Sequence, residues 1–117
     1  MWQGINQRRF PRASYKCVVS LRQKGEDKAI STSTENLGLG GVCVLLEQGL
    51  DIFSPVELNI QLEDGGGSLQ TKGTIVWVVR RGELKRKPSF DTGIEFSELS
   101  SENRARLEAI LDKAEMK

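Results

Sequence analysis

Three arginines near the N-terminus are the side chains best suited to bind a ligand. Arg8, Arg9 and Arg12 lie in a short run that holds no acidic residue. A guanidinium is a planar fork of donors that pairs bidentately with phosphate, or with the O6 and N7 atoms of guanine. Taken alone, these arginines also fit a solvated basic arm or a non-specific phosphate patch.

A second polar segment follows at residues 36–41. Asn36 offers both donors and an acceptor to the edge of a base. Glycines let the backbone turn tightly and approach a ligand with its amides, and those of this segment are Gly38, Gly40 and Gly41. Together with the arginines, the segment indicates a site for a small anionic nucleotide that carries guanine.

The strand pattern predicts that these two segments meet. Apolar side chains alternate with polar ones from Ser14, and they include Cys17, Val19 and Leu21. This period of two is typical of a half-buried strand. A turn at 23–28 leads into a second strand predicted at 29–34. Because the start of one strand and the end of its antiparallel neighbour lie at the same end of a sheet, we expect Arg12 near Asn36.

The remaining pattern is that of a small β protein with one helix. Further strands are predicted at residues 42–46, 56–62, 69–80 and 90–96. Trp77 lies within an apolar strand segment and is predicted to belong to the core. Towards the C-terminus the apolar period becomes helical, at Leu107, Ile110 and Leu111, after a serine that can cap the helix. The sequence predicts a mainly β fold, a six-stranded antiparallel β-barrel with one C-terminal helix at about 100–115.

The length and composition of the chain fit one globular domain. The chain has 117 residues, of which 38% are hydrophobic and 28% are charged, an ordinary globular balance. We expect residues 1–12 to form a flexible basic arm and residues 13–117 to form the barrel with its helix. Residues 1–20 show no secretory signal, and no apolar run approaches the ~18 residues that cross a bilayer. With both cysteines in apolar strand segments, these features predict a cytoplasmic protein with reduced thiols.

The composition argues against an enzyme. There is no histidine, which removes the usual Ser-His and Cys-His nucleophiles and any zinc site that contains histidine. Two separated cysteines cannot supply a structural zinc site alone. The glycines at 38–41 match neither a Walker A loop nor the G-x-G-x-x-G spacing of dinucleotide-binding folds. We therefore expect no catalytic residues, no metal site and no cofactor.

The two polar segments resemble the motifs of a known family. Residues 8–12 (Arg-Arg-Phe-Pro-Arg) resemble the R-x-x-x-R motif of PilZ domains. Residues 36–41 (Asn-Leu-Gly-Leu-Gly-Gly) are similar to the second PilZ motif, [D/N]-x-S-x-x-G. The resemblance continues through 76–78, 92–96 and the final helix.

The resemblance implies a barrel that binds cyclic di-GMP, a bacterial second messenger. The three arginines would then bind phosphates and guanines, while Asn36, Gly38, Gly40 and Gly41 would form the guanine-contacting turn. The sequence departs from the family at Gly38, which stands where the family has serine. The loss of one hydroxyl costs roughly 0.5–1.5 kcal/mol if it meets the ligand.

Binding of the nucleotide is expected to reposition the arm. Because no output domain fits in this chain, we expect the repositioned arm to signal to a partner protein. One alternative is a degenerate PilZ-like adaptor in motility or polysaccharide secretion that docks a partner without nucleotide. Another is a small RNA-binding barrel that uses the arm and the basic residues at 80–87. Single-strand binders display stacking aromatics, and only 6% of the residues here are aromatic, so nucleic acid is not the expected partner.

Overall fold

The computed structural model describes residues 12–13, 17–62, 66–81 and 88–115. Within them lie seven strand segments and one helix. The first strands are β1 (Arg12–Ala13), β2 (Val18–Gln23), β3 (Ile30–Gly38) and β4 (Gly41–Leu46). They are followed by β5 (Pro55–Gln61), β6 (Ser68–Arg81), β7 (Ser89–Glu98) and the helix α1 (Ser101–Glu115).

The strands close into an antiparallel barrel. Their order is β1-β3-β2-β5-β6-β7-β4, and the additional pairing of β3 with β4 closes the sheet. β1 and β2 both pair with β3, and Cys17 continues β2 towards β1 through its carbonyl oxygen, which accepts from Thr34 N at 2.9 Å. β1 and β2 therefore both lie along β3, and the predicted six-stranded barrel with a C-terminal helix is confirmed.

Alternating side chains of every long strand fill the barrel. On β2 the buried residues are Val19 and Leu21, as the period of two predicts. The helix contributes Leu107, Ile110 and Leu111 to the same apolar cluster, and it contacts β1 and β3. The helix thus covers the end of the barrel at which β3 ends and β4 begins.

Polar contacts fix the start of the helix. Ser100 Oγ accepts from the backbone amide of Asn103 at 3.1 Å, which is the predicted serine cap. Arg106 donates to the carbonyl oxygen of Gly67 at 2.7 Å, and Asn103 donates to that of Gln70 at 3.2 Å. These bonds attach the helix to the start of β6.

Both cysteines are buried thiols, in agreement with the sequence. The longest apolar strand segment also has the predicted extent, since β6 spans 68–81. No helix in the described part of the chain is long and apolar enough to span a bilayer.

Two predictions about the strands were wrong. The second strand does not end at 34 but continues to Gly38, because its last residues pair with β1 on one side and with β4 on the other. Trp77 is not a core residue. A register shift between Ile75 and Trp77 moves the indole to the outer face, where it is half-buried opposite Gly93.

Candidate functional site

The pairing of β1 with β3 brings the end of the arginine segment to the glycine segment. Arg12 lies opposite Gly38, and Ala13 lies opposite Leu37. Leu37 also pairs with Val42 of β4, so the three strands run side by side here. Arg8 and Arg9 fall outside the described residues, and for Arg12 the backbone position alone is described. Their role as ligand-binding residues stays a prediction.

The glycine segment is strand at both of its ends, with a two-residue turn between them. Asn36 and Gly38 are strand residues of β3, and the turn consists of Leu39 and Gly40. The carbonyl oxygen of Gly40 accepts from Phe96 N at 2.9 Å, which fastens the turn to β7. A Cβ atom on Gly41 would collide with the carbonyl oxygen of Ile94. Gly41 is therefore required by packing, whatever the segment binds.

A β-bulge places an acidic side chain beside Asn36. In the β3–β4 ladder Thr34 pairs with Val44 and Asn36 pairs with Cys43, which leaves Glu35 as the extra residue. Thr34 and Val44 are buried on the inner face. In a regular strand Glu35 and Asn36 would point to opposite faces. Because of the bulge, both residues stand opposite Cys43 on the outer face of the barrel.

Glu35 belongs to a charged cluster that spans four strands. Cys43 Sγ on β4 donates to Glu35 Oε1 at 3.5 Å. Arg81 Nη1 on β6 lies 2.9 Å from Asp91 Oδ2 on β7 and 3.9 Å from Glu35 Oε2. Asp91 is the least exposed charged group, at 17% of its side chain. We call Glu35, Asp91 and Arg81 the carboxyl cluster; it joins the bulge to β7 and β6.

The environment of the carboxyl cluster favours the protonated form of Glu35. Loss of water raises the pKa of Glu35, and the adjacent Asp91 carboxyl group raises it further. Cys43 and Arg81 act in the opposite direction but do not reverse the shift. The buried Asp91 Oδ1 has no hydrogen-bond donor among the described residues, so a proton on Glu35 would supply a donor to this oxygen.

The sequence pattern assigned the aromatic side chain of this outer face, Trp77, to the core. Cross-strand pairs form a row from Asn36 to Cys43, then to Gly93 and finally to Trp77. A Cβ atom on Gly93 would collide with the indole of Trp77, so the ring lies directly over the glycine. Glycine inside a strand often marks such a close approach, and Gly93 was the available signal.

Among the described residues there is no group of three or more histidine, cysteine or acidic side chains arranged to hold a metal ion. The groups at this end of the barrel are instead suited to binding a polar ligand. They consist of a strand amide, backbone amides near a turn, an outward indole and a carboxyl cluster. This arrangement suits a flat, polar ligand that lies across the outer face.

Comparison with known proteins identifies the family. The model of the PilZ domain family matches residues 6–113, and the chain therefore belongs to the PilZ domain family. A search of curated proteins finds no match.

Solved structures have the same fold. The PilZ domain of YcgR from Escherichia coli with c-di-GMP has a TM-score of 0.74 at 16% identity, covering 95% of this chain and 93% of that one. The Bacillus subtilis inhibitor of motility MotI/DgrA has a TM-score of 0.75 at 20% identity, and the alignment covers 95% of this chain and 52% of MotI.

MrkH from K. pneumonia in its apo state has a TM-score of 0.78 at 13% identity, covering 95% of this chain and 51% of that one. The chain thus spans about half the length of MotI and MrkH. At these identities the likeness concerns the fold.

Proposed function

We propose that this chain is a receptor for cyclic di-GMP that signals to a partner protein and catalyses no reaction. The observation that carries the proposal is the pairing of Arg12 with Gly38, which joins the end of one family motif to the middle of the other. Membership of the PilZ domain family supports it. So does the presence of c-di-GMP in the YcgR and MrkH complexes.

Each part of the site suits one part of the nucleotide. Guanidiniums of Arg8, Arg9 and Arg12 would bind the two phosphates and the Hoogsteen edge of guanine. Asn36 would bind a guanine edge, and backbone amides of the segment that contains Gly38, Gly40 and Gly41 would donate to ligand oxygens. Trp77, at the far end of the outer row, offers a surface on which a base can stack.

Signalling would follow from the N-terminal segment. Residues 1–12 carry like charges and few apolar side chains, so a doubly anionic ligand would reduce their mutual repulsion and hold them against β3. The change would present or cover the apolar side chains of this segment, Trp2, Ile5 and Phe10, and so alter a surface for a partner. This step is supported by the sequence and by the position of β1.

Calorimetric titration with cyclic di-GMP tests the proposal. The wild-type chain should bind, and Arg12→Ala should lose about 1.5–3 kcal/mol of binding free energy, the scale of a hydrogen bond to a charged group. Arg22→Ala is the matched control, because Arg22 is also a strand arginine but pairs with Glu57 on another face. Its affinity should equal that of the wild type.

Three results would count against the proposal. Absence of heat and of any shift in melting temperature would reject nucleotide binding, and would favour an adaptor that binds its partner without nucleotide. Unchanged affinity of Arg12→Ala would move the site elsewhere. Gly38→Ser restores the family residue and should tighten binding or leave it equal; a marked loss would mean that β3 is not used as in the family.

A further inference from the structure

The carboxyl cluster stands next to the proposed nucleotide site but takes no part in the contacts described above. We propose that Glu35 and Asp91 form a proton-sharing pair that positions Asn36 and links nucleotide binding to proton uptake. This inference rests on the proposed function, and it assigns positioning and regulatory roles to residues outside both family motifs.

The positioning role follows from the bulge. Glu35 and Asn36 share Cys43 as their opposite residue, and Glu35 Oε1 accepts from the Cys43 thiol at 3.5 Å. An extra residue in a strand is free to shift unless its side chain is held. Here the side chain is held on three other strands, by Cys43, Asp91 and Arg81. The bonds that hold Glu35 therefore also fix the backbone that carries Asn36.

The regulatory role follows from charge. The cluster has two carboxyl groups and one cation, so it is neutral when the carboxyls share one proton and negative when both are ionised. An anionic nucleotide bound at Asn36 would be repelled by the ionised form. The ligand should therefore favour the protonated pair, and by reciprocity the protonated pair should favour the ligand.

The geometry agrees with a shared proton. Arg81 Nη1 lies 2.9 Å from Asp91 Oδ2 and 3.9 Å from Glu35 Oε2, so the two carboxyl groups share one cation. Asp91 Oδ1 is buried and has no hydrogen-bond partner in the described part of the chain. Desolvation raises the pKa of Glu35 above its ordinary value of 4.5, and the adjacent carboxyl group raises it further. Among the residues that the structure describes, the charged and titratable groups that face Glu35 from the neighbouring strands are Cys43 on β4, Arg81 on β6 and Asp91 on β7.

Stability and nucleotide affinity should both fall as the pH rises. A carboxyl group whose pKa is raised on folding binds more protons in the folded state, so stability falls as the pH rises through that window. Nucleotide affinity should fall in the same window, which begins at the ordinary value of 4.5 and extends upwards to the raised pKa of Glu35. Glu35→Gln keeps a hydrogen-bond donor for Asp91 and removes the titrating charge.

The experiment measures cyclic di-GMP affinity by calorimetry from pH 5 to pH 8. Wild-type affinity should fall by about fivefold or more across this range, and Glu35→Gln should bind equally at every pH, at the level of the wild type at low pH. Glu35→Ala should bind more weakly than Glu35→Gln at every pH, because both variants lack the charge but only alanine removes the bonds of the bulge to β4 and β7. Recovery by glutamine but not by alanine separates positioning from a general effect of the substitution.

Glu57→Gln is the matched control, since Glu57 is also a strand carboxylate paired with an arginine, but on β5. It should retain the wild-type pH dependence. A flat wild-type profile, or a Glu35→Gln profile that still falls with pH, would overturn the linkage. Equal affinity of Glu35→Ala and Glu35→Gln would overturn the positioning role.

Melting temperatures of the unliganded protein separate this inference from the proposed function. Glu35→Gln should melt higher than the wild type at pH 7, and the difference should shrink towards pH 5. If no variant binds cyclic di-GMP, the proposed function and the linkage both fail, but a shrinking difference would still show that the pair shares a proton. Parallel melting profiles would overturn the proton-sharing pair even if the nucleotide binds.

Discussion

Two arginine–carboxylate clusters lie on different faces of the barrel, and they shift the pKa of a glutamate in opposite directions. Between β2 and β5, the hydrogen bond from Arg22 lowers the pKa of Glu57, and both side chains are about half exposed, at 48% and 52%. Between β3, β6 and β7, loss of water raises the pKa of Glu35, which shares one cation with a second carboxyl group. The number of carboxyl groups per cation and their contact with water decide the difference.

The backbone differs between the two faces in the same way. The β2–β5 ladder runs without interruption from the pair of Val18 and Gln61 to the pair of Gln23 and Val56. The other face has a register shift in the β3–β4 ladder and two in the β6–β7 ladder. Two of these three shifts lie beside the proposed nucleotide site, where they re-aim Glu35 and Trp77. The third lies between Lys72 and Gly73, opposite Glu57 of β5. A site on this face therefore depends on more exact packing than a site on the β2–β5 face would.

Gly41→Ala tests that dependence and should have the largest effect. The new methyl group would meet the carbonyl oxygen of Ile94, which belongs to the β7 backbone and cannot turn aside. We expect a loss of about 3 kcal/mol or more in the free energy of unfolding, measured by urea denaturation.

Gly49→Ala is the control for the same change. Its nearest neighbour would be the ring of Phe90 at 3.2 Å, a side chain that can move by the small distance required. The loss should therefore be much smaller than for Gly41→Ala. Equal losses at the two positions would show that the face around Gly41 is no more tightly packed than a loop.

Arg81→Gln and Arg22→Gln compare the two clusters directly. Without Arg81, the mostly buried carboxylate of Asp91 loses its ion pair at 2.9 Å. The expected cost is about 1–2 kcal/mol, at the low end for a buried charge because Arg81 itself is 57% exposed. Arg22→Gln breaks an exposed pair and should change stability little. Thermal denaturation at pH 7 measures both, and a larger loss at Arg22 would contradict the contrast between the clusters.

The sequence predicted the regular parts of the fold and missed the bulges. Alternation identified the inner residues of β2, and the helical period identified Leu107, Ile110 and Leu111. The same alternation counts Ile75 and Trp77 as one face, and it cannot register the extra residue at 76 that turns the indole outward. The charged cluster at Glu35 was missed for the same reason.

The candidate site was predictable as far as the topology determines it. An up-and-back pair of strands requires Arg12 and the end of β3 to meet, and the pairing of Arg12 with Gly38 agrees. The local composition of residues 36–38 predicted a turn, yet they form strand, because β1 and β4 pair with them from both sides. Tertiary pairing overrides local propensity in such segments.

Phe53→Asn tests whether the regular side of the barrel is free of strain. Phe53, in the loop before β5, has a φ of 71° although it is not glycine, and the residue is 78% exposed. Asparagine tolerates this conformation better, and little packing would be lost, so stability should rise by about 0.5–1 kcal/mol. Ile52→Asn, at the neighbouring exposed position, should give no such gain. A loss in Phe53→Asn would mean that the ring has a stabilising contact.

Glu57→Gln has the smallest expected effect on stability. The sign of its change in melting temperature nevertheless tests the comparison between the two clusters. The pKa of Glu57 is lowered from its ordinary value of 4.5 by the hydrogen bond and the charge of Arg22. A lowered carboxyl pKa stabilises the fold above the ordinary value, and this contribution is lost as the pH falls through the lowered pKa. Wild type should therefore melt slightly above Glu57→Gln at pH 7, and the gap should close below pH 4.5. Salt should also reduce the gap in melting temperature, because both partners face water.

Glu35→Gln is expected to melt above the wild type at pH 7, so the melting temperatures of the two glutamine variants should lie on opposite sides of the wild-type value. If both lay on the same side, the two clusters would not differ in the way that their contact with water and their charge balance require.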